Sequence, residues 1–267
     1  MNYNTITLEE KDQVAKITFN RPEKLNAISP EVISEVKDAL EKIRKSSSRV
    51  VIITGAEMEG KRKMFSAGAD LTKSGIDPFS PKSDTIRESS LRGQEMCNII
   101  AEFEKPVIAM VNGLALGGGC ETLLACDIVI ASETAEIGLP EIGLGIIPGW
   151  GGTQRLPRKI SPSKAKQIIF TGERISATEA EKIGLVDVVA PADRLEDATM
   201  EVAKKLAAKS PIILRLAKRA VNQGLETSLK SGLKIENDAF VECFSTEDVK
   251  EGMQAFFEKR QPKFKGE

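Results

Sequence analysis

The chain contains no histidine, a single tryptophan and a single tyrosine, and its 38 basic residues nearly cancel its 39 acidic ones. Without histidine there is no Ser-His-Asp or Cys-His nucleophilic arrangement and no imidazole to ligate a metal. Proton transfer must therefore fall to carboxylates, lysines, a cysteine or Tyr3. Cys97, Cys120, Cys126 and Cys243 form no CxxC pair, which fits neither a zinc site nor a secreted disulfide framework, so buried free thiols and no metal are expected. A formal net charge of -1 gives no global electrostatic reason to bind nucleic acid. The apolar stretches are short and broken by charges or glycines, so no transmembrane helix is expected. The opening MNYNTITLEEKDQ has neither the basic start nor the apolar core of a signal peptide, and a cytoplasmic location follows as the expectation. No GxxxxGK[ST] phosphate loop occurs, and the glycine run lacks dinucleotide-binding spacing.

What is present is an ordinary globular pattern, 267 residues long, enough for one large domain or one plus an appendage. Residues 14–20 alternate and stop at Pro22, which predicts a strand. Residues 30–45 carry apolar side chains at helical spacing, with Ser29 placed as N-cap and Pro30 at the first helical position. Further strands are expected over 49–54, 106–111 and 127–131, an extended piece over 186–189, and helices over 85–104, after the glycine run, 161–171 and 176–183. A charged loop covers 57–64 and a Ser/Pro/Gly-rich surface loop 72–83. The stretch 138–158 holds too much glycine and proline to read as regular structure. From Arg194 to about Phe257 the pattern is helical, broken at Ser210-Pro211 and around Ser245. Strand-strand-helix units followed by a helical tail predict an α/β or α+β fold, with the tail covering the core or building an oligomer interface.

Three glycine-containing turns stand out, at 66–70 (SAGAD), 117–119 (GGG) and 148–152 (PGWGG). Glycine lets backbone approach a ligand closely, and the first turn of a helix has amides with no intrahelical partner. Two such amides aimed at one point would form an oxyanion hole for a carbonyl becoming an enolate. Glu121 and Glu141 lie beside these turns, and a buried carboxylate pair can divide its labour, one ionised and one protonated. That is equipment for adding or removing water next to a carbonyl.

Five segments, NRPEKLNA (20–27), FSAGADL (65–71), NGLALGGGCE (112–121), CDIVIAS (126–132) and LPEIGLGIIPGWGGTQRLPR (139–158), resemble the crotonase (enoyl-CoA hydratase/isomerase) family in their order. The resemblance covers nearly the whole chain. It implies a crotonase-type ββα spiral core over 1–195 that holds the active site, and a C-terminal helical region over 196–267 for oligomerisation and pocket cover. It also implies an oxyanion hole from the Ala69 and Gly118 amides, and catalytic Glu121 and Glu141. Family hydratases keep both glutamates, whereas isomerases usually keep only the second, so the resemblance points to reversible hydration of a short-chain trans-2-enoyl-CoA. Glu141 is expected to move the C2 proton and Glu121 to position water. Candidates for binding the substrate and its CoA portion are Lys24, Leu25, Ala27, Ser66, Ala67, Asp70, Leu71, Gly117 and Trp150, with Lys259 reaching the nucleotide of a neighbouring subunit. Trp150 stands where relatives carry a small residue and either narrows the acyl pocket or packs. No cofactor is implied, since CoA arrives with the substrate, and a homotrimer or homohexamer is expected. The alternatives are an enoyl-CoA isomerase and, from another class, an RNA-binding homologue using the basic stretch 204–219.

Overall fold

The computed structural model describes residues 3–57, 59–60 and 62–267; Met58 and Lys61 of the expected charged loop, and the first two residues, lie outside the described residues. The chain opens on a hairpin, β1 (Ile6–Lys11) and β2 (Val14–Phe19), antiparallel and closed by Asp12 and Gln13 with φ of 51° and 64°. Two consecutive residues at positive φ give a turn whose twist matches that of the strands. Helix α1 (Pro30–Lys45) follows, its Ser29 hydroxyl accepting from the Val32 N–H.

Three strand-strand-helix passes come next: β3 (Val50–Gly55), β4 (Met64–Ser66) and α2 (Ser83–Glu102); β5 (Val107–Val111), β6 (Leu114–Leu116) and α3 (Gly118–Leu124); β7 (Ile128–Ser132), β8 (Glu136–Gly138) and α4 (Gly152–Lys159). Then follow α5 (Pro162–Thr171), β9 (Ile175–Ser176), α6 (Ala177–Lys182), β10 (Val188–Ala190), α7 (Leu195–Ala207), α8 (Pro211–Leu225), α9 (Leu229–Cys243) and α10 (Glu247–Glu258). In each pass the first strand joins a six-stranded sheet of order β1-β2-β3-β5-β7-β10, and the second joins a four-stranded sheet of order β4-β6-β8-β9. This is the expected ββα spiral. The large sheet is parallel from β2 onward, and its central strands are apolar without alternation because both faces are covered. On one face Val51, Ile53, Val107, Ala109 and Val129 meet α1, α2 and the small sheet. On the other, Val50, Ile52, Ile108 and Ile130 meet Leu195, Ala203 and Ala207 of α7.

Helices α8 and α9 pack on each other. They are tied to the core where Lys218 meets Asp127 at 2.7 Å and the Asn222 side chain donates to the Ala101 carbonyl at 3.1 Å.

The structure departs from the sequence expectation in a few places. Gly138–Arg158 is not irregular throughout, because its C-terminal third forms α4 with Pro157 inside the helix. The helical tail is also interrupted between Leu225 and Leu229, where Ser228 caps α9. Cys97, Cys120 and Cys126 are buried as expected, but Cys243 is only half-buried. Among the described residues no helix is long and apolar enough to cross a membrane.

Candidate active site

The site forms where two glycine-containing turns lie side by side at the ends of β4 and β6. The 66–70 turn is pinned to the segment after β2: the Ile28 N–H donates to the Gly68 carbonyl at 2.8 Å and the Asp70 N–H to the Ile28 carbonyl at 2.9 Å. Gly68 has φ +98°, and a Cβ there would stand 2.7 Å from the Leu116 carbonyl oxygen and 3.0 Å from the Gly118 nitrogen. A Cβ on Gly118 would in turn lie 3.2 Å from the Ala69 nitrogen. The Ala69 and Gly118 amides are therefore neighbours. Gly118 opens α3, so its N–H has no intrahelical partner, and among the described residues neither amide donates to another group.

Both glutamates face this spot. Glu121 is buried in the first turn of α3, and its Oε1 accepts from the backbone N–H of Trp150 at 2.7 Å and of Gly152 at 2.8 Å. Burial pushes its carboxyl up to about 7; the charge of Glu141 adds to the rise while the two amides and Arg155 oppose it. Glu141 sits in a 3-10 turn, Pro140–Leu144. Its Oε1 lies 3.0 Å from where a Cβ on Gly117 would stand, and its Oε2 is buried with no hydrogen-bond partner among the described residues. Burial raises this carboxyl as well. A buried, unpaired carboxylate oxygen is costly. Two carboxyls raised by burial next to two idle amides can exchange protons with a substrate that develops negative charge on oxygen.

The other expected contacts divide into two groups. The Ala67 N–H donates to the Leu25 carbonyl at 3.0 Å, which brings the segment of Lys24, Leu25 and Ala27 against that of Ala67 and Leu71. Lys24, Leu25 and Leu71 are exposed there. Ser66 and Asp70, by contrast, hold the turn itself. The Ser66 hydroxyl accepts from the Gly68 N–H at 3.1 Å, and Asp70 pairs with Arg21 at 2.9 Å and accepts from the Thr72 hydroxyl at 2.6 Å. Lys259 lies at the end of α10 with φ 53°, and among the described residues no contact joins it to the glutamates. In the basic stretch 204–219, Lys205 pairs with Glu201, Lys218 with Asp127 and Arg219 with Glu242.

Several site residues escaped the sequence reading. The Asn26 side chain donates to the Ala56 and Met64 carbonyls and accepts from the Arg21 N–H. Gly152 supplies the second amide to Glu121. Ser90 and Gln94 of α2 both donate to the Gly149 carbonyl, at 2.7 and 2.9 Å. Arg155 donates to the Trp150 carbonyl and to Asn98. A glycine alone inside an amphipathic helix, Gly93, was the one available signal for the α2 contact.

A two-sheet ββα spiral whose glycine turns present paired amides beside paired glutamates defines the class, and the chain belongs to the enoyl-CoA hydratase/isomerase family, whose profile matches residues 9–267. It is 42% identical over 267 residues to a crotonyl-CoA hydratase of Syntrophomonas wolfei, covering 99% of each chain. It is 43% identical over 263 residues to a short-chain-enoyl-CoA hydratase of Clostridium acetobutylicum, covering 97% of each. The crystal structure of an enoyl-CoA hydratase from Bacillus anthracis superposes with a TM-score of 0.92 at 42% identity, covering 99% of this chain and all of that one.

Proposed function

We propose that this chain reversibly hydrates short trans-2-enoyl-CoA thioesters of the crotonyl type to 3-hydroxyacyl-CoA, and so also dehydrates 3-hydroxybutyryl- and 3-hydroxypropionyl-CoA. The observation that carries the reading is the pair of carboxylates beside the Ala69 and Gly118 amides: Glu121, buried in the first turn of α3, and half-buried Glu141, whose Oε1 lies against Gly117 and whose Oε2 is buried and unpaired among the described residues. The thioester oxygen accepts from those two amides. Water is held between the carboxylates and adds as hydroxide at C3, giving its proton to the ionised carboxylate, while the protonated one delivers a proton at C2. The enolate formed on the way is where preorganised N–H donors act, each worth about 3 kcal/mol. Glu121, already tied to two amides, is assigned to the water, and Glu141, with its unpaired oxygen, to the C2 proton.

Lys24 serves as counter-charge to the CoA phosphates, Lys259 reaches the nucleotide from a neighbouring copy, and the copies form a trimer or hexamer. The reaction asks for no metal or further cofactor, and a cytoplasmic enzyme is the reading in keeping with the soluble acyl-CoA substrate. Glu121 argues against the isomerase alternative, and the ion pairs of Lys205, Lys218 and Arg219 against a free basic face for RNA.

The test is loss of the conjugated-thioester absorbance on adding enzyme to crotonyl-CoA. Wild type is expected to turn it over, with Glu141→Gln and Glu121→Gln each slower by about 10²- to 10⁴-fold. Full activity in either variant removes that residue from the mechanism, and an inactive wild type ends the hydratase reading.

A further inference from the structure

We propose that the Trp150 indole is the end wall of the acyl pocket and that Gly93 is the notch in which it is seated, so that the two together set the longest acyl chain the site accepts. The inference rests on the hydratase reading of this site and goes beyond it to the group that selects the substrate.

Trp150 is the chain's one tryptophan and is 8% exposed. Its backbone is fixed from both sides. The N–H donates to Glu121, the carbonyl accepts from Arg155 at 3.1 Å, and the preceding carbonyl, that of Gly149, takes the Ser90 and Gln94 hydrogen bonds from α2. The backbone from which the ring projects is thus anchored to a carboxylate of the site and to α2.

The ring itself is wedged between two helices. A Cβ on Gly118 would lie 2.6 Å from Cζ3 and 2.7 Å from Cε3, so the six-membered ring rests on the residue whose amide faces the thioester oxygen. A Cβ on Gly93 would lie 2.1 Å from Cε2 and 2.2 Å from Cδ2 and Nε1. Not even alanine fits at Gly93 while the indole is in place. Glycine in the middle of a helix is unfavourable, and here the indole explains it. An acyl chain anchored by its carbonyl at Ala69 and Gly118, with C2 and C3 at the carboxylates, meets this ring after few further carbons. A rigid aromatic backed by a helix cannot yield to a longer chain as a flexible aliphatic side chain would.

The experiment compares kcat/KM for crotonyl-CoA and trans-2-decenoyl-CoA in wild type, Trp150→Ala, Gly93→Ala and the double variant, with melting curves for each. Trp150→Ala keeps the backbone N–H to Glu121 and is expected to shift the ratio toward the ten-carbon substrate by at least about tenfold, since each extra methylene that finds room in an apolar pocket is worth about that much. Gly93→Ala alone is expected to lower stability and activity on both substrates. The double variant is expected to recover the fold with the Trp150→Ala profile, which unrelated damage at two sites would not produce. A folded, crotonyl-active Trp150→Ala with an unchanged ratio overturns the wall.

Should that variant not fold, the wild type supplies its own readout, because all tryptophan emission comes from Trp150. Butyryl-CoA is expected to change the emission where CoA alone does not, and identical responses overturn the proposal. A wild type inactive on crotonyl-CoA takes down the hydratase reading and the wall with it; one that is active, with no shift in Trp150→Ala, takes down the wall alone.

Discussion

Glu121 is the residue whose electrostatics reach furthest. Its carboxyl rises from an ordinary 4.5 to about 7 in the fold, mainly through burial. A carboxyl with a raised folded value binds more protons folded than unfolded between those two pH values, so stability falls as pH climbs through that window. Below it the group is protonated in both states and costs nothing; above it the full penalty is present, about 3 kcal/mol. Glu121→Gln removes that penalty, and because both amide bonds land on Oε1, the glutamine oxygen can still accept them. The variant is therefore expected to be more stable than wild type at pH 8 and nearly level with it at pH 5, measured by urea unfolding. A variant equally or less stable at pH 8 would show that the amides already compensate the buried charge. Asp70 behaves in the opposite way. Burial pushes its carboxyl up, but the Thr72 hydroxyl and the Arg21 guanidinium more than offset this and hold it below the usual range. With both partners largely buried, Asp70→Ala leaves Arg21 uncompensated, and a loss of about 3 kcal/mol in unfolding free energy is expected. A loss below 1 kcal/mol would mean that water reaches Arg21.

Helix α2 is the element that turns a loop into a site. Ser90, Gly93, Gln94 and Asn98 fall on one stripe at helical spacing, and all four bear on the 148–155 segment. Their load is carried to Glu121 through the Trp150 and Gly152 amides. Ser90→Ala with Gln94→Ala removes both bonds to the Gly149 carbonyl and is expected to lower kcat about tenfold. It is also expected to move the alkaline limb of the pH–rate profile, because the amides opposing Glu121's raised value shift. A drop in kcat with an unmoved pH profile would reduce the two residues to structural roles.

The same region marks how much was legible in sequence. Glu121 and Glu141 were legible mainly through the segments NGLALGGGCE and LPEIGLG that resemble the family, since twenty residues of separation say nothing about distance in space. Helix α1 was visible because Ser29, Pro30 and the apolar spacing agree. Strands β6 and β8 were not, since three residues cannot show alternation, and α4 was hidden because Gly151, Gly152 and Pro157 all read as breakers. The α2 stripe was invisible for a different reason: it is polar, and its partner lies more than fifty residues away in sequence. Nothing local in Ser90 or Gln94 says which carbonyl it will meet.

For the whole molecule the unresolved charge on the ledger is apolar surface. Val221 and Leu225 lie one turn apart on α8, Leu229 and Leu233 on α9, and Phe240 and Phe244 further along α9 and at its end, all more than half exposed. Phe256 and Phe257 at the end of α10 are exposed as well. A monomer rarely leaves this much aromatic and aliphatic surface in water, and closed symmetric association with further copies of the chain is the simplest way to cover it. The 29.0 kDa chain is therefore expected to sediment as an oligomer, and at three or six times its own mass if the trimer or hexamer proposed from the family resemblance forms. Phe240→Glu combined with Phe244→Glu puts two charges on a face that would be buried and is expected to give monomers that keep their fold, since neither side chain belongs to the core clusters. The kinetic consequence separates assembly from mere packing. If Lys259 of one copy reaches the nucleotide bound by another, the dissociated variant should show a KM for crotonyl-CoA raised about tenfold at low salt, and Lys259→Ala in the intact assembly should raise it similarly, with little change in kcat in either case. A monomeric variant with an unchanged KM would leave the interface standing as architecture and place the whole CoA site within one chain.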